Sequence, residues 1–273
     1  MNLFEILKKR EIDSTAEFRR LVELFNEDAI PLTHFGLHSF KEWIDKRFRS
    51  LPIRSSFLSV DDMLKNLGIN EKTEYFVDFN QLFLYCEILS NLINQVLEKI
   101  ERESKVEGQA AAIIDNINEI LEKTNHEMKK IEDGFVVVDK NPATTEAIEC
   151  LEDDKANLAL SMIEYNRVLL KGDLQRKREI LVALADYTEP MNNDFKGTQY
   201  AALYSDSRFL VNAIDIRHNN SGMGDLPEKA KSWTPQEKED WYDKTYQVLL
   251  TVILARKHMD VSKEIQNLKS AKK

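Results

Sequence analysis

Between Asn80 and Arg102 the apolar residues Leu82, Phe83, Cys86, Leu89, Ile93, Val96, Leu97 and Ile100 recur at three- and four-residue intervals. On a helix that spacing gathers them into one wide stripe, whereas on a strand they would fall on both faces. It predicts one long core helix over 80–102. After a polar break at Lys105 to Gly108, a second amphipathic helix follows with Ile113, Ile114, Ile117, Ile120 and Leu121. Composition agrees: 31% of the 273 residues are charged and only 8 are Gly and 6 Pro, the makeup of a helix-rich soluble protein.

The first seventy residues read as short helices, each with a start signal. Ser14 with Glu17 forms a capping box ahead of Phe18, Leu21, Val22, Leu24 and Phe25, the hydroxyl taking one orphan amide and the carboxylate reaching back to another. Ser39 is placed to cap a helix carrying Trp43, Ile44 and Phe48. Ser59 with Asp62 opens a third, which Gly68 ends by turning left-handed at low cost. Pro31 and Pro52 mark the joins.

The period changes at EMKKIEDGFVVVD, where Asp133-Gly134 separates two apolar runs and favours a tight turn. A β-hairpin is expected at Glu127 to Val138, and it is the only strand signal. Helical spacing then returns. Pro142 suits a first helical turn, and helices are expected over 143–150, 154–170, 173–187 and 204–216. Thr234-Pro235-Gln236-Glu237 combines a capping box with a first-turn proline, ahead of Trp241, Tyr242, Tyr246, Leu249, Leu250, Ile253 and Leu254. The basic stretch SKEIQNLKSAKK is expected to fray. The fold class is therefore mainly α, a helical bundle with one small β-hairpin. Its division is expected to be a helical region over 1–125 and a hairpin with a second bundle over 126–273.

A net charge of -9 argues against nucleic-acid binding over the whole surface, since phosphate affinity comes from clustered Lys and Arg. A local basic groove stays open. Cys86 and Cys150 lie in apolar helical contexts, where a free Cys behaves as a small hydrophobe. No apolar run reaches the ~20 residues of a membrane span, and the N-terminal MNLFEILKKREID lacks a secretory core, so a cytoplasmic protein without membrane contact is expected.

The concentrated chemistry lies in FLVNAIDIRHNNSG, where Arg217, His218, Asn219 and Asn220 close an apolar helical run ahead of a long loop and a last helix. Arg can hold a phosphate through a bidentate fork and His can exchange a proton near neutral pH. This layout resembles the signature region of the HEPN superfamily, small helical bundles that include many prokaryotic RNases and abortive-infection proteins. Those RNases typically carry an Arg, a polar residue, three variable positions and a His; Arg217 and His218 fill the first two places, and Gly222 stands at the last.

The resemblance implies a HEPN-like C-terminal bundle and an RNA-directed antiviral defence function. Cleavage would need neither metal nor cofactor, with Arg217 and His218 as catalytic pair, Asn219 and Asn220 positioning RNA, and a homodimer completing the site. With Gly222 in place of the final His, His218 or His258 would have to supply the imidazole. The alternative is a noncatalytic helical module that binds RNA, a nucleotide or a protein partner. On that view Arg-His-Asn-Asn is a helix stop, since cations and Asn are favoured at the carbonyl end of a helix.

Other clusters read as structural. His34 and His38 have helical ligand spacing, but Gly36 and Pro31 indicate a loop without further ligands. Glu149, Glu152, Asp153 and Asp154 form a solvated acidic junction. Tyr165, Tyr187, Trp241, Tyr242 and Tyr246 could stack on bases, yet aromatics at helical spacing belong more often to a core.

Overall fold

The computed structural model describes residues 12–31, 37–73, 75–98, 104–217 and 232–270. The chain is mainly α and forms two compact units, 1–140 and 141–273. Among the described residues no helix is long and apolar enough to cross a membrane.

The first unit contains α1 (Ser14–Asn26), β1 (Asp28–Pro31), β2 (Leu37–Ser39), α2 (Phe40–Asp45), α3 (Val60–Asn66), α4 (Phe79–Leu97), α5 (Ser104–Lys123), β3 (His126–Ile131) and β4 (Gly134–Asp139). The stripe read from the sequence is buried at Leu82, Phe83, Cys86, Leu89, Ile93 and Val96. Tyr85, Ile88 and Leu92 are buried as well, so α4 is enclosed over much more than one stripe. It packs against α1, α5 and the hairpin. Leu97 is 38% exposed, and Ile100 lies outside the described residues.

Caps confirm some start signals and correct one. Ser39 accepts from Glu42 N and Ser59 from Asp62 N, both at 3.1 Å, and Gly68 has φ +78°. At α1, however, the cap is Asp13, whose carboxylate accepts from Thr15 N at 2.9 Å and Ala16 N at 3.0 Å. A carboxylate is the stronger acceptor at the positive end of a helix, so it takes the orphan amides. Ser14 is thereby freed to donate its hydroxyl to Val77 O at 2.5 Å, while Thr15 Oγ1 accepts from Val77 N at 3.0 Å.

The hairpin is present, with Ile131 opposite Gly134 and His126 opposite Asp139. The residues between the strands are Glu132 and Asp133, one position earlier than expected, and Gly134 opens β4 with φ +151°. Side chains of α4 bind β4. Asn91 Oδ1 accepts from Phe135 N and its Nδ2 donates to Phe135 O, each at 2.8 Å; Glu87 Oε1 accepts from Val137 N at 2.8 Å. Backbone groups of β4 are thus satisfied by helix side chains. The hairpin belongs to the first unit, and the boundary falls after 140 rather than after 125. A second, unexpected ribbon pairs Ile30 with His38 and Pro31 with Leu37.

The second unit contains α6 (Pro142–Glu149), α7 (Ala156–Tyr165), α8 (Leu174–Thr188), α9 (Asn192–Phe195), α10 (Ala201–Ala213) and α11 (Pro235–Ser270). Pro142 does open α6, behind an Asn141 cap. The helix expected over 154–170 is broken instead. Asn166 donates to Met162 O at 2.8 Å, Tyr246 Oη at 2.9 Å and Thr144 Oγ1 at 3.1 Å, and Arg167 turns extended before a 3-10 turn at Val168–Leu170. Such a side chain offers the backbone an alternative to the next helical bond. The helix expected over 204–216 is displaced three residues toward the N-terminus as α10.

Thr234 and Glu237 make the reciprocal cap of α11: Thr234 N donates to Glu237 Oε2 at 2.7 Å and Glu237 N to Thr234 Oγ1 at 3.2 Å. The core side of α11 buries Tyr242, Tyr246, Leu249, Leu250 and Ile253, and Tyr246 stacks on Tyr165 with centroids 4.0 Å apart. Lys177 is buried between Glu239 at 2.8 Å and Asp243 at 2.7 Å. α11 continues to Ser270, through most of the stretch SKEIQNLKSAKK.

Candidate functional site

α10 stops at Ala213, and the chain reverses through Asp215, which takes φ +62°. Asp215 is held by its neighbours: Arg178 Nε donates to its carbonyl at 2.8 Å and Lys238 Nζ to its carboxylate at 3.0 Å. Ile216 is fully buried, and Arg217 N returns to Val211 O at 3.2 Å. This reversal carries the Arg217 side chain away from its own helix and onto the C-terminal end of α8.

There the guanidinium meets two carboxylates. Arg217 Nε and Nη2 donate to Asp186 Oδ1 at 3.2 and 2.6 Å; Nη1 donates to Glu189 Oε1 at 2.8 Å, and Nη2 also binds Glu189 Oε2. The hydrogen bonds from Arg217 hold the Glu189 carboxyl down at about 2, with the charges of Arg217 and Arg208 adding to them. Arg217 is raised in turn by its bonds to Glu189 and Asp186. Arg208 supports the cluster, donating to Ala185 O at 3.0 Å and lying 3.8 Å from Glu189.

Of the residues expected to form a catalytic site, Arg217 alone falls among the described residues. His218, Asn219, Asn220 and Gly222 lie outside them. Arg217 does not cap its own helix through its side chain, as the helix-stop reading supposed; its partners come from α8. His258, the other imidazole considered, sits on α11 with its Nδ1 3.0 Å from Tyr200 Oη and 3.5 Å from Ser262 Oγ. Sequence reading missed Asp186 and Glu189, because their pairing with Arg217 spans 31 and 28 residues and leaves no local pattern.

Asp186 also borders a cleft of about 580 Å³ in this unit, together with Glu152, Lys155, Arg256, Lys257 and Asp260. Three cations face three carboxylates, and Arg256 is bound to Asp194 at 2.9 Å. A cleft of about 920 Å³ in the first unit is lined in the same mixed way, with Lys41 held by Asp61 and Glu71. Neither has the one-signed lining that selects phosphate.

The remaining candidates occupy structural positions. His38 lies on β2 with Nδ1 2.5 Å from Glu42 and Nε2 2.7 Å from Lys46 Nζ; His34 is outside the described residues. Among the described residues no group of three or more His, Cys, Asp or Glu is arranged around a metal position. Cys86 is buried, which pushes its thiol well up, and Cys150 is raised by partial burial; both are free. Tyr165, Tyr242 and Tyr246 are core residues, while Trp241 stacks on Trp233 at 5.5 Å. No family model matches the chain, and no curated protein or solved structure shows significant similarity to it.

Proposed function

We propose that this chain is a noncatalytic helical module that binds a protein partner, with Arg217 as a clamp between the turn after α10 and the end of α8. The observation that carries this reading is the occupancy of the guanidinium. Its bonds to Asp186 and Glu189 use Nε, Nη1 and Nη2 together. A phosphate approaching Arg217 would have to displace two carboxylates or sit beside their negative charge, and either costs what a bidentate phosphate contact gains. The overall charge of -9 adds to that repulsion. In the first unit Tyr75 and Phe76 are 83% and 78% exposed, the type of side chain enriched in protein contacts.

The test is an RNA cleavage and binding assay in chelator, run beside thermal melting, with wild type and Arg217→Ala. A clamp predicts no cleavage by either protein and a lower melting temperature for the variant. RNA cleavage by wild type that disappears in Arg217→Ala at unchanged melting temperature would restore the ribonuclease reading and the defence role that goes with it.

A further inference from the structure

The core contacts of α11 end at Met259, which packs on the cluster of Met191, Phe195 and Tyr204. The helix then runs on through residues 260–270, a length of about 16 Å at a rise of ~1.5 Å per residue, and from Lys263 every side chain is exposed. On this stretch Val261, Ile265 and Leu268 are 39%, 44% and 69% exposed. With the exposed His258 they follow intervals of three, four and three residues, the spacing of a coiled-coil seam. This end of α11 holds three large apolar side chains in water.

We infer that this seam pairs with the same seam of a second copy of the chain, as a short parallel two-stranded coiled coil. Charge selects both the occupant and the orientation. In a parallel pair Glu264 flanks the seam and faces Lys269 of the second copy, five residues further along, and the symmetry repeats the contact. In the antiparallel pair that buries the same residues, with Val261 opposite Ile265 and His258 opposite Leu268, the two Glu264 carboxylates would face each other. The inference rests on α11 alone and does not depend on the role of Arg217.

Sedimentation velocity of the full chain at tens of micromolar should show a species of twice the chain mass. Val261→Asp and Leu268→Asp, at exposed positions where the fold is insensitive to substitution, should each give single chains with unchanged far-UV circular dichroism. Glu264→Lys should weaken association by about tenfold, since two pairs turn from attraction to repulsion. Combining it with Lys269→Glu should restore the wild-type affinity. A wild-type chain that stays single, a dimer that survives Leu268→Asp, or a Glu264→Lys dimer of unaltered affinity overturns the proposal.

Discussion

The side-chain amide of Asn91 on α4 fills the space that a Cβ on Gly134 of β4 would need. The same amide bonds both backbone groups of Phe135, so it cannot swing aside without releasing the strand. Gly134 therefore carries two constraints, its φ of +151° and this contact.

Gly134→Ala should lower stability by about 2 kcal/mol, since its Cβ meets both constraints, and Gly134→Val by more, because β-branching adds bulk at the Asn91 contact and opposes a positive φ further. Chemical denaturation of the two variants checks the order. Equal stability of Gly134→Ala and wild type would show that neither constraint is felt.

The start of α1 gives a second test. Asp13→Ala should cost ~1 kcal/mol by exposing the amides of Thr15 and Ala16. Ser14→Ala should cost a similar amount for a different reason, leaving Val77 O without the bond from a buried hydroxyl. If Ser14 were the cap, Asp13→Ala would be close to neutral, and urea midpoints of the two variants separate the cases.

These elements also mark how far the sequence could be read. The α4 stripe and the hairpin are legible because both signals are local: a repeat of apolar side chains, and an Asp-Gly pair ahead of the run Phe-Val-Val-Val. The cap of α1 is ambiguous in the sequence since two adjacent residues can each cap, and the bond that Ser14 makes instead goes to Val77, more than sixty residues away. The break after Tyr165 depends on Asn166 finding Tyr246 across the unit, a partner that no helical period encodes. For the same reason Arg217 was legible as a polar residue at a helix end, while the carboxylates that hold it were not.

Lys177 is the buried charge whose loss should matter most. Removing it as Lys177→Met leaves Glu239, which is 7% exposed, without its cation and held, among the described residues, by the bond from Gly172 N; it should cost about 3 kcal/mol. Lys177→Met with Glu239→Gln should recover part of that cost, since the stranded charge goes with the second change. A double variant no more stable than Lys177→Met would place the loss in packing instead.

The Arg217 clamp should be visible in the acid limb of stability. Glu189 is held at about 2 in the folded chain against an ordinary 4.5, so its carboxylate form is favoured by folding. A depressed folded pKa contributes stability that is fully present above the unfolded value and is lost as pH falls through the folded one. The clamp's contribution should therefore be constant above about 4.5 and decline toward about 2. Melting temperatures of wild type and Glu189→Gln, measured across that window, should differ most at its upper end and converge at its lower end. Arg217→Ala should cost more than Glu189→Gln, because it also removes the bonds to Asp186, and the double variant should lose little more than Arg217→Ala alone. Parallel curves for wild type and Glu189→Gln down to the lowest pH would show that the pair does not form in solution, and with it the clamp reading of Arg217 would fail.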